Sequence, residues 1–165
     1  MNKSKHLAKI LFLFFAVVSF SLVIVSCNKD DDEDDKTALK TLTSNAWHLK
    51  QFVEGDTIIY PKYYEDKEDS TLYIIKFYSN FTFTIYAYAN WYDGEFALNA
   101  KSNKINMAIG FHTQVGDNGY DTRMIESMLE VYKYKFVKGK LHLHYDTDKY
   151  MEFEKVNLNV WNSKK

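Results

Sequence analysis

The sequence has one cysteine, one proline and six glycines in 165 residues. A lone cysteine excludes an internal disulfide, so packing alone must hold the fold. The glycines are isolated and form no phosphate-cradling loop, and Ser, His and Asp occur without a nucleophile elbow to join them in a triad. Basic charge is also missing. Lys and Arg total 21 against 22 Asp and Glu; six acids fall at residues 30–35, and four bases (Lys3, Lys5, Lys9, Lys29) precede position 36. From Lys36 onward 17 bases face 16 acids, which leaves no electropositive footprint for nucleic acid. These absences point away from an enzyme, from nucleic acid as a partner and from any bound cofactor other than a covalent lipid.

What is present begins with an address. Lys3, Lys5, His6 and Lys9 form a positive n-region, and residues 10–25 an uncharged apolar run. That run is shorter than the roughly 20 residues a membrane-spanning helix needs and matches a secretory signal. Ile24-Val25-Ser26-Cys27 then reads as a lipobox: residues 1–26 are expected to be cut away and Cys27 to carry the lipid. Stable anchoring needs more than one acyl chain. Residues 27–44 read as lipidated cysteine plus tether, in which the acids of 30–35 repel one another and stay extended. Residues 37–43 read as one or two amphipathic helical turns.

From Trp47 the pattern has the two-residue period of half-buried strands. Tyr, Phe, Ile and Thr recur in alternation, and aromatic residues make up 17% of the chain. Strands are expected at 47–54, 57–60, 72–78, 81–88, 91–98, 104–111, 132–137, 140–145 and 150–156. Asp93-Gly94 is either a turn or a glycine where a neighbour approaches closely. On 104–111 Ile105, Met107, Ile109 and Phe111 point inward, and the outward set Asn106, Ala108 and Gly110 is small. In 122–131 the period turns helical through Met124, Ile125, Met128 and Leu129, with Asp121 or Thr122 available as cap. Near Lys155 the apolar parity slips, which predicts a bulge or a strand end. The expected fold is mainly β, an antiparallel small barrel or strongly curved sheet of eight to nine strands over residues 45–160, with one short late helix and a tail at 161–165.

Several stretches carry a resemblance. Trp47-His48-Leu49, Phe77 and Phe83, Asn90-Trp91-Tyr92-Asp93-Gly94-Glu95-Phe96, Thr113, Ile125-Glu126, Gly139-Lys140-Leu141 and Met151-Glu152-Phe153 are similar to the META-domain family of small bacterial envelope lipoproteins, with lipocalin-like lipoproteins close behind. Ala89 stands where many META-domain members have a cysteine. The run Lys29-Asp30-Asp31 after Cys27 resembles the export signal of surface lipoproteins of Bacteroidetes-type bacteria. The resemblances imply an outer-membrane, lipid-anchored protein, displayed on the cell surface or facing the periplasm, with a binding or envelope-supporting role. A lipocalin-like member would instead carry a small hydrophobic ligand in its barrel.

Two sets of side chains are candidates for recognition. His142 and His144 share one face of a strand, as metal ligands of zinc or copper would. With 146–150 as the connecting loop, His142 would sit opposite Glu154 and His144 opposite Glu152, as ordinary cross-strand polar pairs. Tyr86, Tyr88, Trp91 and Tyr92 would form an aromatic patch for a glycan or an envelope protein, or else a second buried layer.

Overall fold

The computed structural model describes residues 29–61, 72–113 and 119–162. The expected leader, Cys27 and most of the 60–69 loop lie outside them. Contacts divide the chain into Met1–Glu33 and Asp34–Lys165; of the first, only the opening of helix α1 (Lys29–Thr43) is described.

Nine antiparallel strands follow among the described residues: β1 (Ala46–Glu54), β2 (Thr57–Ile59), β3 (Ile74–Phe77), β4 (Thr82–Tyr86), β5 (Trp91–Asn99), β6 (Lys104–His112), β7 (Lys133–Val137), β8 (Lys140–His144) and β9 (Lys149–Val156). Consecutive strands from β3 to β9 are neighbours, β1 lies against β3, and β1 also pairs with β9. The sheet therefore closes on itself as an eight-stranded up-and-down ring, which removes the open edges that a flat sheet would expose. β2 is extra, a hairpin arm folded onto the far half of β1 through the Gly55 turn. Closure is strong at β1–β9, where register runs from Ala46 opposite Val156 to Glu54 opposite Lys149. It is thin between β6 and β7, where the only ladder pair is Lys104 opposite Lys133.

The alternation explains what fills the ring. Trp47, Leu49, Phe52, Ile75, Phe77, Phe83, Ile85, Phe96, Ile105, Leu141, Leu143, Met151 and Phe153 are all buried and belong to one contiguous cluster. Phe77 meets Phe96 edge-on at 5.1 Å and Phe83 at 6.1 Å, geometry that the ring quadrupoles favour. Gly94 settles the earlier ambiguity as a close approach. A β-carbon there would overlap the Ala108 carbonyl oxygen and lie 2.5 Å from Cζ of Phe83, so the ring of Phe83 occupies the space glycine vacates. The extra residue that accommodates this falls on β6 between the partners of Asp93 and Gly94.

The two longer helices close the ring. In α1, Ala38, Leu39 and Leu42 pack on the core, the Leu42 carbonyl accepts the indole N–H of Trp47 at 2.9 Å, and Asp35 Oδ1 accepts the amide of Ala100 at 2.5 Å. Lys76 donates to the carbonyls of Thr43 and Asn45, so a cation meets the negative end of this helix; burial pushes its ammonium below the usual range. Helix α2 (Tyr120–Leu129) docks near the opposite end of β1: Met124 and Met128 enter the core, Arg123 pairs with Glu54 at 2.5 Å and lies over the ring of Phe52 at 5.0 Å. Burial acts to raise the Glu54 carboxyl, but the hydrogen bonds from Tyr145 and Arg123 outweigh it and hold it low.

Three expectations need correction. The backbone of residues 30–35 lies within α1 rather than in an extended tether. Helix α2 starts at Tyr120, with Gly119 as its cap; Asp121 reaches away to accept the amides of Tyr88 and Ala89 at 2.9 and 3.0 Å. The strand end expected near Lys155 is met, since β9 ends at Val156; a bulge sits on β1 between Leu49 and Gln51. Finally, 161 is not tail. Helix α3 (Leu158–Asn162) lays Trp161 on the outside of the ring against Ala46 and Ile74, with Val156 packed there too, which is why the parity of the apolar residues slips at Lys155.

Candidate functional site

With the interior taken by side chains, polar and aromatic groups on the outer wall are what remain to be read. One collection lies on β8, β9 and β1. Residues on alternate positions of these strands point outward, and the ladders set His142 opposite Glu152, His144 opposite Tyr150 and His48 opposite Glu154. The expected pairing was offset by two residues, because the β8–β9 connection closes at Lys149 rather than after 150; an even offset keeps every side chain on its face. His142 Nε2 lies 3.1 Å from Glu152 Oε2. Lys140 reaches Glu152 at 2.8 Å and Glu154 at 3.0 Å, and Gln51 donates to Glu152 at 3.3 Å. Tyr150 stacks on His142 at 4.5 Å and tilts over His144 at 5.2 Å.

These outward histidines are nonetheless buried, His144 to 8% exposure, by the side chains around them. Burial, then the positive charge of Lys135, His142 and Lys133, lowers the His144 imidazole to about 4. His142 is lowered too, chiefly by burial and against the pull of Glu152. His144 Nε2 has no hydrogen-bond partner. Both rings are neutral at pH 7 and could in principle ligate, but among the described residues no three His, Cys, Asp or Glu side chains converge as a metal requires.

The sign of the pH dependence follows. The folded imidazole of His144 holds its proton less tightly than the free side chain at about 6.5, so the unfolded chain binds protons first as pH falls. Its contribution is complete above about pH 6.5 and is lost on the way down to about pH 4, by roughly 1–3 kcal/mol. Urea midpoints measured at pH 7 and pH 4.5 should show this loss, and His144→Phe should flatten the curve in that window. An unchanged slope in that variant would assign the loss to other groups.

A second collection lies on β4, β5 and β6. Thr82 sits opposite Glu95 and Thr84 opposite Asp93, and Glu95 opposite Ala108. Because the outward residues of β6 are so small, the wall sinks into a groove of about 480 Å³, lined among others by Thr82, Thr84, Asp93, Glu95, Ala108 and Gly110. The Thr84 hydroxyl donates to Asp93 Oδ1 at 2.5 Å. Two residue pairs further along the same ladder, and so on the same face, stand Tyr86 and Trp91, edge to face at 6.1 Å, and Tyr86 meets Trp161 at 5.4 Å.

The four aromatics expected together are thereby divided. Tyr86 and Trp91 stand on the outer wall, Trp91 42% exposed, while Tyr92 is turned inward at 7%, as consecutive strand residues must be. Tyr88 packs against the main core. Lys29, Asp30 and Asp31 lie in the opening of α1, and Cys27 lies outside the described residues. Sequence reasoning missed Asp93, Glu95 and Trp161; the signal available for the first two was the small outward set on β6.

No helix among the described residues is long and apolar enough to cross a membrane. No family model matches the chain, and no curated protein does. Solved structures resemble it in fold. A crystal structure of a DUF4847 family protein from Bacteroides vulgatus shares 17% identity and a TM-score of 0.57, over 71% of this chain and 96% of that one. An NMR structure of a protein from Burkholderia xenovorans shares 13% identity and a TM-score of 0.56, over 73% of this chain and 88% of that one. At such identities the likeness extends to the fold alone, the curved antiparallel ring described above.

Proposed function

We propose that this is a lipid-anchored protein of the bacterial outer membrane, without catalytic activity, whose barrel presents a binding surface on its outer wall. The observation that carries the reading is the filled ring: Trp47, Phe52, Phe77, Phe83 and Phe153 are fully buried in one cluster. Small-ligand sites are concave and largely pre-formed, and a ring whose inward positions are occupied by large side chains is a packed core. That supports binding on the outside over a lipocalin-like carrier, and it leaves the groove beside Tyr86 and Trp91 as the natural contact face. The lipobox at Ile24-Val25-Ser26-Cys27 and the acids after Lys29 supply the anchoring and display half of the proposal, in keeping with the resemblance to META-domain and surface lipoproteins.

The anchoring half is tested by labelling expressing cells with radioactive palmitate. The expected result is label on the chain that is lost in Cys27→Ser, together with a shift from the membrane fraction to the soluble one. An unlabelled wild-type chain would overturn it.

A further inference from the structure

We infer that the groove over β4, β5 and β6 binds an aliphatic diamine, a short methylene chain with an ammonium group at each end; the inference rests on the outer-wall reading above. Asp93 and Glu95 are two residues apart on one strand and both line the groove, which places their carboxylates on the same side, about 7 Å apart along the strand. Among the described residues no Lys, Arg or His lines the groove with them, so the groove favours a cation over an anion. Thr84 already holds one carboxylate in place at 2.5 Å, which reduces the ordering that binding must supply.

The apolar part of the occupant is chosen by the floor. Gly94, Ala108 and Gly110 present backbone and methyl surface, suited to methylene groups. A volume of about 480 Å³ lies in the range of small-molecule sites. Trp91 and Tyr86 continue the same face beyond Asp93 and Thr84, where aromatic faces favour an organic cation over a neutral isostere. A chain of about four or five methylenes spans the distance between the two carboxylates.

The test is calorimetric titration of the full chain, purified in detergent, with 1,4-diaminobutane and 1,5-diaminopentane at low salt. 1-Aminobutane and 1,4-butanediol serve as comparators. Saturable one-to-one binding of a diamine is expected, weakened by about tenfold in the monoamine and by about tenfold in each of Asp93→Asn and Glu95→Gln, and absent for the diol. Ala108→Phe, on an exposed outward position, should fill the floor and abolish it, with circular dichroism verifying the fold. No saturable heat from either diamine overturns the inference, and so does equal binding of diol and diamine, though the latter leaves the outer wall as the binding face. The outer-wall reading itself falls if an apolar fluorophore binds stoichiometrically and Ala108→Phe leaves that binding untouched.

Discussion

Asp121→Ala should remove about 3–5 kcal/mol of stability, a large share of the 5–15 kcal/mol that holds a domain together. The carboxylate is fully buried, and its two oxygens accept the amides of Tyr88 and Ala89 in the connection between β4 and β5. It lies in the first turn of α2, at the positive end of the helix dipole, which favours a carboxylate. Removing it leaves two backbone donors short of an acceptor, each costing roughly 1–3 kcal/mol. It also cuts the tie between the helix and the strand connection. Chemical denaturation monitored by tryptophan fluorescence is the measurement. Asp121→Asn, which keeps one acceptor, should recover about half of the loss. A midpoint within about 1 kcal/mol of wild type for the alanine variant would mean that the tie contributes little.

Gly94→Ala should be as damaging for the opposite reason, too much matter rather than too little. The added methyl would meet the carbonyl oxygen of Ala108 and the ring of Phe83. Neither can retreat easily, because one is backbone in a β5–β6 ladder and the other is fully packed near Phe77. Overpacking of this kind costs about 3 kcal/mol or more, enough to lower the melting temperature by about 10 °C. Pairing the change with Phe83→Leu should recover only part of the loss, since the contact with the carbonyl remains. Full recovery would show that the ring alone sets the requirement for glycine, and an unperturbed single variant would show that the strands separate at little cost.

Much of this architecture can be read from the residues. Alternation from Trp47 to Val156 finds the strands within a residue or two, because a closed ring gives each strand an inward face and an outward one. The helical spacing of Met124 and Met128 marks α2 for a similar reason. What escapes is whatever depends on non-local partners. The register of β8 on β9 hangs on where a loop closes, which residues 145–149 do not declare. Asp121 looks like a helix cap until the β4–β5 connection is seen beside it. Trp161 looks like tail because α3 covers a patch of outer wall made by Ala46 and Ile74, residues far from it in the chain. The outer groove was half legible: Asn106, Ala108 and Gly110 are visibly small, but that Thr82, Thr84, Asp93 and Glu95 surround them follows only from strand order.

The pairing of β1 with β9 sets the timetable of folding. The first strand of the ring waits for a partner made roughly a hundred residues later, a contact of high sequence separation whose loop-closure entropy must be met before it returns anything. Until the last strand arrives, the Ala46–Glu54 edge is a sticky template for other chains. A polypeptide built this way gains from staying unfolded through synthesis and being handed over whole, so that all its strands become available together.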